Sequence, residues 1–396
     1  MDQPASAAAL HARHAVDPVL LTQALVRLNS VNPPGREDAC ARLVGELLGG
    51  AGFSLRYESL SAGRTSLVAT LRAAEAGQPC LAFTGHLDTV PLGTAQWNVD
   101  PFAAEIHGDR LHGRGASDMK SGVAAAVAAA LRCASWLGDT AGVALILTAG
   151  EETGCDGARH LVQAGALPQR VGALVVGEPT SNRPRLGHKG ALWFHACSHG
   201  RTAHASMPEL GDNAICKMAR LVLELQDLDL SQGSAEGRPT LSVGTIEGGI
   251  NINSVPDRAT IGIDIRTPPG MAHEALASSL TRHLHGRATL RRLLDAPGVS
   301  TERQHPWVQE VMNLAGPGNG GTATEALLVP YFTDASVLKA ALGNVPTVIL
   351  GPGEPQMAHQ TDEYVHVSRV REAAEIYEAL IRRWCGRAQQ ASNFQN

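Results

Sequence analysis

Apolar residues occur along this chain in two rhythms. Short apolar-rich runs over 81–84, 143–147, 173–176 and 345–350 read as buried strands, and 66–71 as a further short strand. Between them the spacing is helical. Leu21, Leu25 and Leu28 recur behind Asp17 and Pro18, an N-cap followed by proline at the first helical position. Asn32-Pro-Pro-Gly35 ends that helix, and 37–48 repeats the pattern. Alanine-rich 123–136, then 156–164 and 368–384, also read as helices. A short strand is expected over 54–57, and a hairpin over 104–107 and 110–112 turned at Gly108-Asp109. Residues 1–16 read as a loose tail. Strand and helix alternate, which predicts an α/β fold with a mainly parallel sheet.

From about residue 186 the rhythm changes. A strand over 191–196 leads to an amphipathic helix over 213–228, with Ile215, Leu221, Val222 and Leu225 on one side. Strands over 240–246 and 259–266 follow, then a helix to about 285 and a strand near 289–293. Strand, helix, two strands, helix, strand is a split βαβ layout. The expected organisation is therefore one discontinuous domain of 1–187 and 301–396, with an α+β domain of 188–300 inserted.

The polar chemistry sits where the apolar runs stop. The run from Leu81 ends in Gly85, His86 and Asp88. Residues two apart on a strand point to one side, and α/β sheets keep ligand sites at strand ends. A metal-binding histidine hands its second ring proton to an acceptor such as a carboxylate, and Asp88 is expected to take it. A core histidine bonded to a neighbour is the plainer alternative. Asp118, Glu151, Glu152, Glu178 and His359 likewise follow apolar strands or sit in glycine loops. So many carboxylates together would repel unless cations neutralised them. Oxygen and imidazole donors without thiolates suit zinc, cobalt or manganese at a hydrolytic site.

Composition narrows the partners. The net charge is -5, the four lysines are scattered and aromatics make up 4%. Nothing resembles a basic tract or a stacking platform, so neither nucleic acid nor a membrane surface is expected as partner. The apolar helix over 123–131 is too short to span a bilayer. Seven cysteines without a Cys-x-x-Cys pair suit a reducing compartment. The first residues lack a positively charged export segment, so a cytoplasmic protein is expected.

Five motifs occur in order: Gly85-His-Leu-Asp-Thr-Val-Pro91, Gly113-Arg-Gly-Ala-Ser-Asp-Met-Lys120, Glu151-Glu-Thr-Gly154, Gly177-Glu-Pro-Thr180 and the late His359. Together they resemble metallopeptidase family 20, over about Asp17 to Trp384. The resemblance implies a zinc-peptidase-like catalytic domain and an inserted lid or dimerisation domain, in a homodimer. It implies two divalent ions, zinc first and cobalt or manganese next. His86 and Glu178 would hold one ion, Glu152 and His359 the other, with Asp118 bridging. Glu151 would be the general base; the opposite assignment of Glu151 and Glu152 stays open. His204, in Thr202-Ala-His-Ala-Ser206, matches a histidine that reaches a substrate oxygen in the neighbouring subunit, where it would act as an oxyanion donor. An ordinary surface histidine is the alternative, and His188, His195, His199 and His366 read as structural.

Asn253 and Arg266 match substrate contacts of the desuccinylase branch. Arg266 could clamp a carboxylate or form a plain salt bridge. Thr333-Asp334 and Gly351-Pro-Gly353 match pocket-lining positions, although a glycine loop is also simply a turn. His188-Lys189-Gly190 and Ala358-His-Gln-Thr-Asp-Glu-Tyr364 lean toward acetylornithine deacetylase. Tyr331-Phe-Thr-Asp-Ala335 departs from that branch, which has Cys-Thr-Glu-Ala, and leaves acyl specificity open. The expected activity is hydrolysis of an N-acyl amino acid or related small amide. A carboxypeptidase or dipeptidase on the same site is the first rival, and a binder that has lost the chemistry the second.

Overall fold

The computed structural model describes residues 17–71, 78–137, 141–228, 230, 238–316 and 327–393, with side chains to 386. The tail expected over 1–16 lies outside the described residues. The chain divides into two compact units, Met1–Gly187 with Ser300–Leu328 and Thr333–Asn396, and His188–Val299 with Val329–Phe332. No helix among the described residues is long and apolar enough to cross a membrane.

The first unit opens with α1 (Pro18–Arg27), where the Asp17 carboxylate accepts from the Val19 N–H at 2.8 Å. This cap satisfies a donor that the first turn leaves free. Leu21 and Leu25 are fully buried, while Leu28 has already left the helix. An edge hairpin follows, β1 (Ser54–Ser61) and β2 (Arg64–Leu71), and then β3 (Cys80–His86), buried at every position. The hairpin expected from residue 104 pairs only Ile106–His107 with Arg110–His112. Ala104 takes a positive φ of 56° and bends the chain out of extended backbone. Next come α2 (Ser121–Ala134), β4 (Val143–Thr148) and β5 (Val171–Val176).

The second unit contains β6 (Gly190–His199), α3 (Ala214–Gln226), β7 (Thr240–Gly248), β8 (Arg258–Thr267), α4 (His273–Leu284) and β9 (Thr289–Ala296). Its antiparallel sheet runs β7-β8-β6-β9, the split βαβ arrangement. Alternate residues Ala259, Ile261, Ile263 and Ile265 of β8 turn inward with Leu192, Phe194 and Ala196. They meet Met218, Leu221 and Leu225 of α3 and Leu276, Leu280 and Leu284 of α4. Strand β9 runs past residue 293 because Leu293 bulges out of the ladder between Arg292 and Leu294.

The chain then returns to the first unit with α5 (Ala335–Ala341), β10 (Thr347–Ile349) and α6 (Val367–Asn393). The six-stranded sheet runs β1-β2-β4-β3-β5-β10. Strands β4, β3, β5 and β10 are mutually parallel, and the β1-β2 hairpin adds an antiparallel edge. Leu81, Phe83, Leu145, Leu147, Val175 and Val348 form its core with α2. Each such side chain contributes roughly 1.5–3 kcal/mol by burial. Helix α2 can be alanine-rich because it lies close to its neighbours. A Cβ on Gly122 would stand 2.0 Å from the Gly177 carbonyl oxygen.

Register decides where the chemistry falls. His86 pairs with Thr148, Thr84 with Val176, and Ile349 with Val176. β3 and β4 therefore end level, and β5 and β10 end level with each other two residues earlier. From β3 the chain moves to β4 on one side and then to β5 on the other, so the strand order reverses at β3. That crevice is where doubly wound sheets take their ligands.

Candidate metal centre

His86 is the last residue of β3, Glu151 and Glu152 follow β4, and Glu178 follows β5. Asp118 lies in the turn before α2, with extended φ/ψ of -117° and 94° that turn its side chain out of the helical path. His359 sits in the loop after β10, in left-handed backbone with φ 63°.

These side chains form two donor sets that share Asp118. In one, His86 Nε2 stands 3.1 Å from Asp118 Oδ1 and 3.8 Å from Glu178 Oε1. In the other, His359 Nε2 stands 3.4 Å from Asp118 Oδ2 and 3.1 Å from Glu152 Oε2. Donors about 2.1 Å from one tetrahedral ion are roughly 3.4 Å from one another. Both sets match that spacing, and His86, Asp118 and Glu152 each bring a ligand atom within 4.8 Å of the others. Glu151 Oε1, Glu152 Oε1 and Asp334 Oδ1 are buried without a hydrogen-bond partner. Oxygen and imidazole donors with orphaned carboxylate oxygens fit hard or borderline divalent cations.

The electrostatics make the same point. Burial drives the Glu151 carboxyl well above the usual carboxylate range, with the charges of Glu178, Asp334 and Glu152 adding and His86 opposing. Burial and the Asp118 charge raise Glu178 well above it also, and the same two causes raise Glu152. Burial pushes Asp334 up to about 6. Burial opposes a charged His86, but the hydrogen bond to Asp118 and the surrounding carboxylates outweigh it and hold the imidazolium well above its ordinary range. Hydrogen bonds to Asp118 and Glu152 push His359 up to about 10. Left to itself the cluster gathers protons; divalent charge would reverse that.

Asp88 departs from expectation. His86 Nδ1 is 3.0 Å from the Asp88 backbone oxygen and 3.6 Å from its carboxylate. The tautomer is fixed by a carbonyl, leaving Nε2 free toward the shared donors. The carboxylate is occupied elsewhere: Oδ1 accepts from Gly150 N at 3.0 Å and Glu151 N at 3.1 Å. Oδ2 accepts from Glu152 N at 3.2 Å and Asn32 Nδ2 at 2.9 Å. Asp88 thus shapes the loop that presents both glutamates.

The remaining expected residues divide between the two units. Thr333 is fully buried, and its hydroxyl accepts from Ala335 N at 3.1 Å, at the start of α5. Gly353 faces backbone: a Cβ there would lie 2.2 Å from the Ser117 oxygen and 2.7 Å from Pro179 Cβ. It seats the Asp118 turn, a packing role. In the second unit His204 and Asn253 are exposed and adjacent. Ala203–His204 pairs with Ser254–Val255, and Ala205 N donates to the Asn253 oxygen at 3.0 Å. Arg266 Nε donates to Asp264 at 3.0 Å, and its guanidinium stands 5.6 Å from the Phe332 ring. The salt-bridge reading of Arg266 is present in the structure; among the described residues its two Nη groups make no further hydrogen bond.

Residues 82–383 match the model of Peptidase family M20/M25/M40. The chain belongs to that family. An acetylornithine deacetylase of Vibrio atlanticus is 31% identical over 349 residues, 84% of this chain and 88% of that protein. One from Proteus mirabilis is 31% identical over 366 residues, 88% and 90% of the two chains. Among solved structures, an M20 family metallo-carboxypeptidase of Sulfolobus solfataricus covers 93% of this chain and 99% of its own. Its TM-score is 0.76 at 18% identity, a likeness of fold. A dinuclear metal binding M20 peptidase of Bacillus subtilis has a TM-score of 0.68 at 16% identity, covering 92% and 96%. The M20 fold is therefore that of this chain, and it is a hydrolase of C–N bonds.

The residues that sequence reading passed over lie directly behind the candidate ligands. Asn32 fastens Asp88. Asp334, already singled out beside Thr333, is buried beside the β4 end, with Thr148 Oγ1 donating to it. Arg114 and Glu363, inside motifs already quoted, form a buried ion pair at 2.7 Å. A charged residue in a glycine loop was the available signal.

Proposed function

We propose that this M20 chain is a dinuclear metal-dependent amidohydrolase that removes the acyl group from an N-acyl amino acid or related small amide. His86 and Glu178 would hold one ion, Glu152 and His359 the other, and Asp118 both. The observation that carries this reading is the pair of donor sets sharing one aspartate. When bound, two divalent cations, zinc first and cobalt or manganese next, supply positive charge that keeps the carboxylates ionised and acidifies a water.

Glu151 would take a proton from the attacking water at its unpartnered Oε1 and pass it to the amine nitrogen as the amide C–N bond breaks and the new C–O bond leaves a carboxylate. Its N–H is tied to Asp88, so the carboxylate is the part left free to work. His204 would donate to the developing oxyanion from a partner subunit. A homodimer through the second unit is supported by exposed Ile246, Ile250 and Ile252 on and beside the edge strand β7. A cytoplasmic setting is supported by seven free cysteines, five of them buried.

Acetylornithine deacetylases of similar sequence favour an N-acetyl amino acid. Phe332, against the Trp193 ring at 5.9 Å, stands where that branch has a cysteine and favours testing dipeptides too. The deciding experiment offers N-acetylornithine, N-succinyl-diaminopimelate, other N-acyl amino acids and dipeptides to the zinc-loaded protein and to Glu151→Gln. The wild type should turn over an N-acyl amino acid. The variant should lose at least ~10²-fold in kcat while keeping two ions by elemental analysis. Full activity in the variant, or less than one ion per wild-type chain, ends the proposal.

A further inference from the structure

We infer that Arg114 and Glu363 are positioning residues that set the spacing of the three loops carrying His86, Asp118 and His359. The inference rests on the dinuclear reading above. Glu363 is fully buried and Arg114 is 1% exposed. The Glu363 carboxylate accepts at both oxygens. Oε2 takes Arg114 Nη1 at 2.7 Å and Gly115 N at 2.9 Å. Oε1 takes Ser117 N at 2.8 Å and Asp118 N at 2.9 Å. The backbone of the shared aspartate therefore hangs on this carboxylate.

Arg114 spreads the grip. Nη1 also donates to the Gln360 oxygen at 3.2 Å, one residue beyond His359. Nη2 donates to the Pro91 oxygen at 3.2 Å, in the loop that leaves His86. Trp97 covers the guanidinium at 5.1 Å. From its own place in the Asp118 loop, one planar group thus reaches the other two ligand-bearing loops through two separate nitrogens, which the single nitrogen of lysine does not offer. A site whose donors must be held within about 0.5 Å is sensitive to such a support. A pair whose purpose was stability alone would be replaceable by apolar packing. Here the carboxylate instead satisfies three backbone N–H groups of the Asp118 turn.

The test measures zinc affinity of the full chain by competition with a chromophoric chelator, for wild type, Glu363→Gln, Arg114→Lys and the core control Val308→Ala. Glu363→Gln keeps size and one acceptor; Arg114→Lys keeps charge and covers the case in which Glu363→Gln fails to fold. Both should weaken zinc binding 10- to 100-fold. In both, kcat should fall at least tenfold, with KM within about threefold. Val308→Ala should lower the melting temperature and leave affinity within twofold. The clamp is overturned if the folded variants keep wild-type affinity, or if Val308→Ala loses as much at equal loss of melting temperature. Wild type that binds no zinc overturns the dinuclear reading and the clamp with it; wild type that binds zinc no better than Glu363→Gln overturns the clamp alone.

Discussion

Replacing Asp88 by asparagine separates two roles for this residue, shaping the glutamate loop or orienting His86. The carboxylate accepts from Gly150 N, Glu151 N, Glu152 N and Asn32 Nδ2. An asparagine whose oxygen stays on Gly150 and Glu151 turns its amide N–H groups toward Glu152 N and Asn32. Asn32 can flip its own amide to accept, at the expense of its 3.2 Å bond to Thr153. The Glu152 N–H is then left facing a donor. Hydrogen bonds to charged groups contribute ~1.5–3 kcal/mol each, so the loss is about 2–5 kcal/mol, nearest the low end if Asn32 flips. If the loop relaxes by moving Glu152, about 2 kcal/mol corresponds to ~30-fold in affinity. On the proposed ligand sets, that loss would belong to the ion held by Glu152 and His359. The His86 ring should keep its orientation, because its Nδ1 bonds to the Asp88 carbonyl, which the substitution keeps. The assay is zinc competition for Asp88→Asn alone and in a His359→Ala background, where only His86, Asp118 and Glu178 remain as a set. Affinity should fall in the first and stay within threefold in the second. An equal fall in both would mean that the carboxylate orients His86, and the loop-shaping role of Asp88 would be refuted.

Asp334 gives a pH-dependent outcome in metal-free protein. Its folded carboxyl lies near 6 against an ordinary value of 3.8. The native state therefore holds a proton that the unfolded chain has lost, and stability falls as pH rises between these values and stays lower above them. Asp334→Asn keeps an acceptor for Thr148 and removes the penalty. Urea unfolding should show a gain on the order of 1–3 kcal/mol at pH 8 and little change near pH 3.5; no gain at pH 8 refutes the assignment. Gly122→Ala sets a methyl 2.0 Å from the Gly177 oxygen, against backbone. It should cost at least about 1–3 kcal/mol and weaken zinc binding through the neighbouring Glu178, read by thermal melting and chelator competition. An unchanged melt would mean that α2 does not press on that turn.

Sequence reading worked where an element or a ligand is announced by its near neighbours. Parallel strands buried on both faces are continuous apolar runs, so β3, β4 and β5 were legible without their partners. The side chains that meet at the strand ends were legible for the same reason, since His86, Glu151, Glu152 and Glu178 directly follow those runs. Reasoning broke down where the partner is remote. The rule that residues two apart share a side stops at the end of β3, and Asp88 lies beyond it. There its oxygens meet N–H groups 62–64 positions away. Glu363 is an acid in a loop, and the donors it satisfies at Ser117 and Asp118 lie 246 and 245 positions away. No local period announces that relation. Thr333 and Gly353 matched pocket positions by resemblance; that the Thr333 hydroxyl accepts from Ala335 N and that Gly353 makes room for backbone are roles set by what surrounds them. The kinds of donor at the centre are thus written locally, while the distances between them are set by bonds that span half the chain. Zinc affinity should therefore respond to Glu363, which donates nothing to the metal, more strongly than its unremarkable surroundings in the sequence suggest.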